Sequence, residues 1–395
     1  MTPRRLLLPI LCAGTLAIAA CGGGSAPEGG IGGSGIEGTL RMSITDAPAC
    51  GYDEVNITVQ EVRVNKNASA GDDDAGWVSL PVSPPQRIDL LTLTNGTLLT
   101  LGQTPLPVGT YTQLRLVLSD NDAAHPFANS VVPTGGNEVA LTTPSAQQSG
   151  LKANADITVA ENQLADFVID FDACRSIVRA GHSGKYLLKP VIQVVPNFIS
   201  GIDGWVTPAM AQAGALVQAE QAGVVVKSTL ADATGHFLLE PMAPGTYDVV
   251  VTAPGRATSV VTGVVVADDL VSPLNAQGTA IDPPASGAGT LQGTITTPEQ
   301  PVEAEVAALQ ALPGAVTVTV AFDAADADTG AYALDLPVAA PELAPYVAGL
   351  PPVFTAVPEA AGVYTLAATW NDTTKTAGPL TLVAGQVITT DFVFP

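Results

Sequence analysis

With only three histidines and four cysteines, this 395-residue chain has little room for a catalytic site based on histidine. Only His182 has neighbours typical of a catalytic loop, in the segment Gly181-His182-Ser183-Gly184-Lys185. A nucleophile elbow needs glycine two residues after its serine, where this chain has lysine. A phosphate-binding loop needs glycine at position 179 and serine or threonine at 186, where the chain has arginine and tyrosine. The segment therefore predicts a hairpin turn, and we expect the protein not to be an enzyme.

An acidic loop is the first candidate ligand site. Asp72, Asp73 and Asp74 precede Trp77, and these four residues form a weak ligand-binding candidate. Their spacing lacks the alternate positions and the distant glutamate of a calcium-binding EF-hand loop. We therefore predict an exposed acidic loop and no metal site or cofactor.

Tryptophan side chains suggest a second kind of ligand, because exposed indole rings can stack on sugar rings. Trp77 is the tryptophan most expected to be partly exposed, whereas Trp205 and Trp370 lie in predicted strands and are expected to pack on sheets. Carbohydrate binding is accordingly an alternative function.

The net charge of −22 argues against a nucleic-acid partner, because such a surface repels phosphate backbones. Only 13% of the residues are charged, while glycine, proline, threonine, valine and alanine dominate. This composition is typical of exported all-β modules.

The amino-terminal residues predict export. Arg4 and Arg5 precede an apolar run over residues 6–20, which ends in small residues just before Cys21. This order is typical of a cleaved signal peptide, and the run is too short to span a bilayer comfortably. A cysteine at the cleavage point resembles the lipobox of bacterial lipoproteins. An ordinary cleaved signal and an uncleaved anchor are the alternatives.

The lipobox resemblance implies that residues 1–20 are removed and that Cys21 carries acyl chains such as palmitate. Residues 21–36 would form a Gly/Ser-rich tether to the folded body. The lipid bilayer is then the first partner, with a glycan or an envelope protein as a further one. Gly22, where an aspartate would favour retention in the inner membrane, implies an outer-membrane location, on the periplasmic face or the cell surface.

Two cysteines remain once Cys12 is removed with the signal peptide and Cys21 is acylated. We predict that Cys50 and Cys174 form a disulfide bond in the oxidising compartment outside the cytoplasm. A metal-binding pair is the alternative, although neither cysteine has a second ligand at zinc-site spacing. Pairing would bring together four carboxylates that flank the cysteines, giving either a calcium site or mutual pKa perturbation: Asp46, Asp53, Asp170 and Asp172.

Alternating apolar and polar residues predict short strands throughout and hence an all-β fold. The resemblances described below imply that these strands form tandem β-sandwich modules. One such run, residues 55–64, has an irregularity near Gln60. Residues 208–221 and 302–312 are the only helix candidates, both weak.

Residues 37–196 are predicted to form the first domain. Its motifs include Ser43-Ile44-Thr45-Asp46-Ala47-Pro48, Gly76-Trp77 and Leu106-Pro107-Val108-Gly109-Thr110-Tyr111. Together with the closing Tyr186-Leu187-Leu188-Lys189-Pro190, they resemble the DUF4382 family of exported β-rich domains. The resemblance implies no activity.

Residues 200–277 resemble the carboxypeptidase regulatory-like modules, which are small transthyretin-like β-sandwiches that do no chemistry. The resemblance rests on Gly204-Trp205-Val206, Asp232-Ala233-Thr234-Gly235-His236-Phe237 and Pro244-Gly245-Thr246-Tyr247. A Pro/Gly linker is predicted over residues 278–288. Residues 289–395 repeat parts of the pattern and are predicted to form a degenerate second sandwich. The whole indicates a non-enzymatic envelope lipoprotein with a binding or structural role. A carbohydrate-binding lipoprotein is the alternative, and an enzyme of unrecognised type is the less favoured third.

Overall fold

The computed structural model describes residues 36–46, 51–143 and 150–395, whose regular structure is almost entirely β-strand. The predicted all-β class with tandem β-sandwich modules is confirmed. We call residues 36–196 the first domain, residues 200–287 the second module and residues 288–395 the third module. The signal-peptide prediction lies outside the described residues, as does all of the tether but residue 36.

The first domain encloses one apolar core between two sheets. Its strands are β1 (Glu37–Asp46), β2 (Tyr52–Asn65), β3 (Val78–Asp89), β4 (Leu99–Pro107), β5 (Gly109–Leu118), β6 (Ser130–Pro133), β7 (Val139–Thr142), β8 (Leu151–Val159), β9 (Leu164–Phe171), β10 (Ile177–Ala180), β11 (Lys185–Leu188) and β12 (Ile192–Pro196). One sheet has the order β12-β9-β1-β4; the other has the order β10-β11-β7-β6-β2-β5-β8, with β3 paired to β2. A single helical turn, α1 (Ala173–Ser176), joins the two sheets after β9.

Sequence alternation translates directly into burial in these strands. Along β1, Leu40, Met42 and Ile44 are fully buried, because every second side chain of a strand points to the same face. The predicted irregularity near Gln60 is confirmed as a register shift of β2 against both β3 and β5. Such a bulge leaves the extra residue outside the ladder.

The second module is a small sandwich with its own core. Its elements are β13 (Gly201–Trp205), α2 (Pro208–Gln212), β14 (Leu216–Gln221), β15 (Val224–Leu230), β16 (His236–Leu239), β17 (Gly245–Thr252), β18 (Ser259–Val266) and β19 (Val271–Pro273). β16, β13 and β19 form one sheet, and β15, β14, β17 and β18 lie in the other. The side chain of Tyr247 is buried in the sandwich.

A tight turn before β16 explains the need for glycine in the second module's signature. Gly235 has φ +92°, and its amide donates to the Asp232 carbonyl oxygen at 2.8 Å. A Cβ atom there would lie 2.0 Å from the Val206 carbonyl oxygen. Any larger residue is therefore excluded by both the backbone conformation and the neighbouring strand.

The third module has the same strand order as the second. Its strands are β20 (Ala288–Thr296), β21 (Glu305–Leu312), β22 (Val316–Ala324), β23 (Ala331–Pro337), β24 (Glu342–Pro345), β25 (Thr355–Ala356), β26 (Val363–Trp370), β27 (Thr373–Thr381), β28 (Val387–Thr389) and β29 (Phe392–Val393). β20 pairs antiparallel with β23 and parallel with β28, as β13 pairs with β16 and β19. The order β22-β21-β26-β27 likewise matches β15-β14-β17-β18.

Both weak helix predictions are largely wrong. Only Pro208–Gln212 is helical, where Thr207 caps the first turn by accepting from the Met210 amide. The remainder of residues 208–221 enters β14, and residues 305–312 form β21. Alanine and glutamine are good helix formers, but intrinsic helix propensity amounts to less than about 1 kcal/mol per residue, so the packing of these segments into sheets overrides it. Four short 3-10 turns complete the helical structure of the described residues: Leu90–Thr92, Gly181–Ser183, Gln277–Thr279 and Pro358–Ala360.

Strands β24 and β25 of the third module extend a sheet of the second module. β24 pairs in parallel with β18, with Ser259 opposite Glu342, and β25 adds a further strand. Tyr346 and Phe354 pack against the second module's core. The segment predicted as a linker is bound to the second module. Ile281 forms a β-bridge with Val206, and the Ala257 amide donates to the Pro284 carbonyl.

Candidate functional site

The first domain contacts the third module through a bidentate ion pair. The Arg175 guanidinium, at the end of α1, donates to both carboxylate oxygens of Glu305, with nitrogen–oxygen distances of 2.6–3.2 Å. The Gly181 amide donates to Asp326 at 2.7 Å, and the Ala327 amide donates to the Arg179 carbonyl at 2.9 Å. Val178, Ala180 and Ala327 form a small apolar cluster beside them.

The first domain also contacts the second module. The Lys227 ammonium, only 4% exposed, donates to the Asp170 carboxylate at 2.7 Å. Asn95, in the left-handed conformation with φ +57°, accepts from the Leu238 amide through its side chain. Its own amide donates to the Thr229 hydroxyl at 3.0 Å. Removing either partner of such a pair would leave an uncompensated charge out of water, which is strongly destabilising.

The second and third modules share a buried polar contact besides the β18–β24 pairing. The Glu220 carboxylate accepts from the Thr319 amide at 2.9 Å, and the Gln218 amide group donates to the Thr319 carbonyl at 3.0 Å. Glu220 and Gln218 are fully buried. Burial raises the pKa of Glu220 to about 8, because the charged form loses its hydration. Each of the three units therefore contacts both of the others.

The carboxylates predicted to gather near the cysteines are partly together. Burial raises the pKa of Asp46 well above its usual value, and the nearby charges of Asp172 and Asp170 act in the same direction. Burial likewise raises the pKa of Asp172 to about 6. Asp53 lies elsewhere and accepts from the Gly135 amide. In residues 36–46, 51–143 and 150–395, no group of three or more His, Cys, Asp or Glu side chains is arranged to hold a metal ion.

Cys174 lies in α1, between Ala173, whose amide donates to Asp46 at 2.9 Å, and Arg175. Cys50 and Cys21 lie outside the described residues, so the disulfide and the lipid attachment stay predictions. Across the described part of the chain, no helix is both long enough and apolar enough to cross a bilayer.

The predicted acidic loop is tied down by its own contacts. Trp77 is half-buried and packs against two guanidinium groups, with Arg63 and Arg115 lying 5.0 and 4.7 Å from the ring centroid. Asp72 pairs with Arg115, and Asp74 accepts from the Gly71 amide at 2.8 Å. Asp73 is exposed. The structure thus brings Trp77 and Asp72 together around arginines, a pattern that stabilises a loop.

The other two tryptophans are half-buried. Trp205 packs on the His236 ring at a centroid distance of 4.8 Å, and Trp370 on Phe394 at 5.9 Å. His236 also pairs with Asp203 on the neighbouring strand. These contacts fit the predicted packing on sheets.

Sequence reasoning missed a cleft of about 680 Å³ between the first domain and the third module, which we call the inter-module cleft. Its walls include Tyr52 and Arg179 on one side and Gln292, Asp323 and Asp391 on the other. Burial raises the pKa of Asp323 to about 6, and its carboxylate accepts only from backbone amides, such as that of Ala333 at 3.3 Å. Residues 52 and 323 are too far apart in the chain for any local pattern to connect them.

A second groove, of about 810 Å³, lies on the first domain alone. Its walls include Gln60, the half-exposed Phe127 and an ion pair in which Arg87 donates to Glu138 at 2.6 Å. Ser130 also donates to Glu138 at 2.6 Å. Arg87 and Glu138 therefore satisfy each other within this groove.

Comparison with solved structures gives only distant likenesses. The Streptococcal ancillary pilin is 9% identical, with 90% of this chain and 98% of that chain covered and a TM-score of 0.17. BcpA, the major pilin subunit of Bacillus cereus, is also 9% identical, with coverage of 90% and 99% and a TM-score of 0.13. A leucine-rich repeat protein from Bacteroides thetaiotaomicron VPI-5482 is 9% identical over 60% of this chain and 26% of that chain, at 0.15. These scores are too low to support an argument.

No curated protein matches the chain. Two protein families do match, in the order that the motifs predicted. Residues 37–190 match a domain of unknown function, DUF4382, and residues 202–278 match the carboxypeptidase regulatory-like domain. Neither family description names a catalytic activity. The chain thus carries a DUF4382 domain followed by a carboxypeptidase regulatory-like β-sandwich.

Proposed function

We propose that this protein is a non-enzymatic, lipid-anchored component of the bacterial outer envelope, which holds a rigid three-part body at the membrane surface for a structural or binding role. The observation that carries the proposal is the closed set of contacts among the first domain, the second module and the third module. Because each unit is fixed to both others, the body has one geometry, as a presenting or load-bearing protein requires.

Contacts of three physical kinds support this rigidity. Arg175 and Glu305 form a bidentate ion pair, Lys227 and Asp170 form a buried one, and β18 pairs with β24. Flexibly linked domains bury little between them and move independently. Here, by contrast, polar groups of all three units are withdrawn from water, and separating the units would leave them without partners.

Small-angle X-ray scattering of the full-length protein tests the rigid arrangement. We expect the scattering to match one compact arrangement of the described residues. A flexible string of modules would give a larger radius of gyration and contradict the structural part of the proposal. Turnover of a hydrolytic substrate that is lost with one substituted residue would contradict the non-enzymatic part.

The lipid anchor is tested through Cys21. Intact-mass analysis of the protein from its native envelope should show an acylated amino terminus at Cys21, and the protein should partition into the detergent phase. Cys21→Ser is the matched variant and should move the protein to the aqueous phase. An unmodified amino terminus in the wild-type protein would refute the anchor.

A further inference from the structure

The inter-module cleft contains polar groups that the fold does not use. The Tyr52 hydroxyl and the Arg179 guanidinium make no hydrogen bond to any described residue, and the Gln292 side chain is exposed. Asp323 has only backbone donors on its carboxylate. The other two carboxylates are already engaged, because Asp391 accepts twice from Thr294 and Asp326 accepts from the Gly181 amide.

The walls of the cleft are held in place without a ligand. The bond from the Gly181 amide to Asp326, the bond from the Ala327 amide to the Arg179 carbonyl and the Val178 cluster lie at its margin. On the third module, the Tyr332 hydroxyl donates to the Thr390 carbonyl at 2.6 Å. Ligand sites are commonly such preformed clefts between domains, with volumes of about 300–1,000 Å³ and a few polar groups that converge.

The unused groups define the chemistry of the ligand. Arg179 can only donate and ionised Asp323 can only accept, while the Tyr52 hydroxyl and the Gln292 amide can do both. An ammonium ligand would satisfy Asp323 but, having only donors, would leave Arg179 without a partner. An anion would meet Arg179 but be repelled by the carboxylates. Hydroxyl groups both donate and accept, so a ligand rich in hydroxyls satisfies all four side chains.

The cleft also offers part of one aromatic ring, that of the half-buried Tyr52. This ring packs edge-to-face on Tyr186 at a centroid distance of 5.9 Å, whereas the Tyr332 ring, near Phe392 at 6.4 Å, is itself buried. An apolar C–H face of a pyranose ring can pack on the exposed part of the Tyr52 ring while its hydroxyls reach the polar groups.

We infer that the inter-module cleft binds a neutral glycan, with Tyr52, Arg179, Gln292 and Asp323 as its polar contacts. This inference rests on the binding role proposed above and is independent of the lipid anchor. It moves the expected carbohydrate site away from the three tryptophans to a surface that two units build together.

The test is an array of neutral oligosaccharides built from glucose, mannose and N-acetylglucosamine, probed with the full-length protein in detergent. Binding to at least one oligosaccharide is expected and is then measured by titration calorimetry. Asp323→Asn and Arg179→Gln should each weaken that binding by about tenfold or more, since each removes a charged hydrogen-bonding partner. Tyr52→Phe should weaken it by about threefold to tenfold.

Tyr52→Phe is the decisive variant, because it removes only a hydroxyl that the fold leaves unpaired and should unfold at the wild-type temperature. The matched control is Gln60→Ala in the groove of the first domain, which should bind as the wild type does. Cys21→Ser protein should also bind, so a failed lipid anchor would leave this result unaffected.

Three outcomes would overturn the inference. The first is no binding of any array oligosaccharide at millimolar concentration. The second is binding that Asp323→Asn, Arg179→Gln and Tyr52→Phe leave unchanged. The third is displacement of the oligosaccharide by a simple diamine or by inorganic phosphate, which would show that charge, rather than hydroxyl groups, is recognised.

Discussion

Replacing Glu220 by glutamine should remove a pH-dependent loss of unfolding free energy. The loss arises because Glu220 ionises while buried between the second and third modules. Burial raises the pKa of this carboxyl group from 4.5 to about 8 in the folded protein. The folded chain therefore holds the proton more tightly than the unfolded chain. The cost of ionising Glu220 is absent below about pH 4.5, grows as the pH rises and is complete above about pH 8.

The size of the effect follows from the pKa. Each pH unit within the window lowers the free energy of unfolding by about 1.4 kcal/mol, so the whole cost is on the order of 3–5 kcal/mol. Glutamine keeps an oxygen that can accept from the Thr319 amide. Its NH₂ group replaces the Oε1 atom that accepts from Gln218 Nε2 at 3.4 Å, so only this long hydrogen bond is lost.

We expect Glu220→Gln to exceed the wild type by no more than about 1 kcal/mol at pH 5 and by about 3 kcal/mol or more at pH 8. Urea unfolding followed by circular dichroism at pH 5, 6.5 and 8 measures this difference. Glu299→Gln makes the same charge change at an exposed position and should follow the wild type. Other buried carboxyl groups are the same in all three proteins and cancel. Equal pH dependence in Glu220→Gln and the wild type would refute the reasoning.

Three further perturbations test other contacts. Glu305→Gln should lower the free energy of unfolding by about 1–2 kcal/mol, because Arg175 keeps its charge with a weaker partner that is itself partly exposed; no change in the urea midpoint would show that the ion pair does not matter. Gly235→Ala should cost at least about 3 kcal/mol, whereas Gly255→Ala, also at positive φ but with open space around it, should cost only about 1 kcal/mol; equal losses would contradict the steric argument. Cys174→Ser should lower the thermal midpoint and abolish the shift on reduction, since closing a long loop is worth about 4–5 kcal/mol in the chain-entropy model; a wild-type protein that reduction leaves unchanged would exclude the disulfide.

Alternation and turn motifs made the fold class readable from the sequence. The pattern around Gln60 even revealed a bulge, because a bulge interrupts the period of two within a few neighbouring residues. The Asp232–Phe237 turn was equally readable, since its hydrogen bonds and its positive φ belong to adjacent residues. Local patterns of this kind carry their information within one or two strands.

The contacts among the three units could not be predicted in the same way. Arg175 and Glu305 are 130 residues apart, and nothing near either residue indicates the other. In the sequence, strand β24 is a short run within a Pro/Ala-rich segment, so its pairing partner is evident only from the tertiary structure. The contacts of the acidic loop could not be predicted either, because the arginines that contact Trp77 and Asp72 lie in strands distant in the sequence. Pairing across long separations depends on the topology of the fold, which local patterns in a single sequence do not reveal.

The parallel pairing of β18 with β24 has a consequence for anyone who wishes to cut this protein into pieces. A fragment that ends at residue 278, where the second family match ends, would lack residues 342–356 and leave the hydrogen-bonding edge at Ser259–Thr262 bare. It would also lose the aromatic rings of Tyr346 and Phe354 from its interior. Unpaired backbone groups at a strand edge readily form hydrogen bonds with strands of other chains. Such a fragment should therefore self-associate. An excised second module that stays monomeric must bring this stretch of its neighbour along.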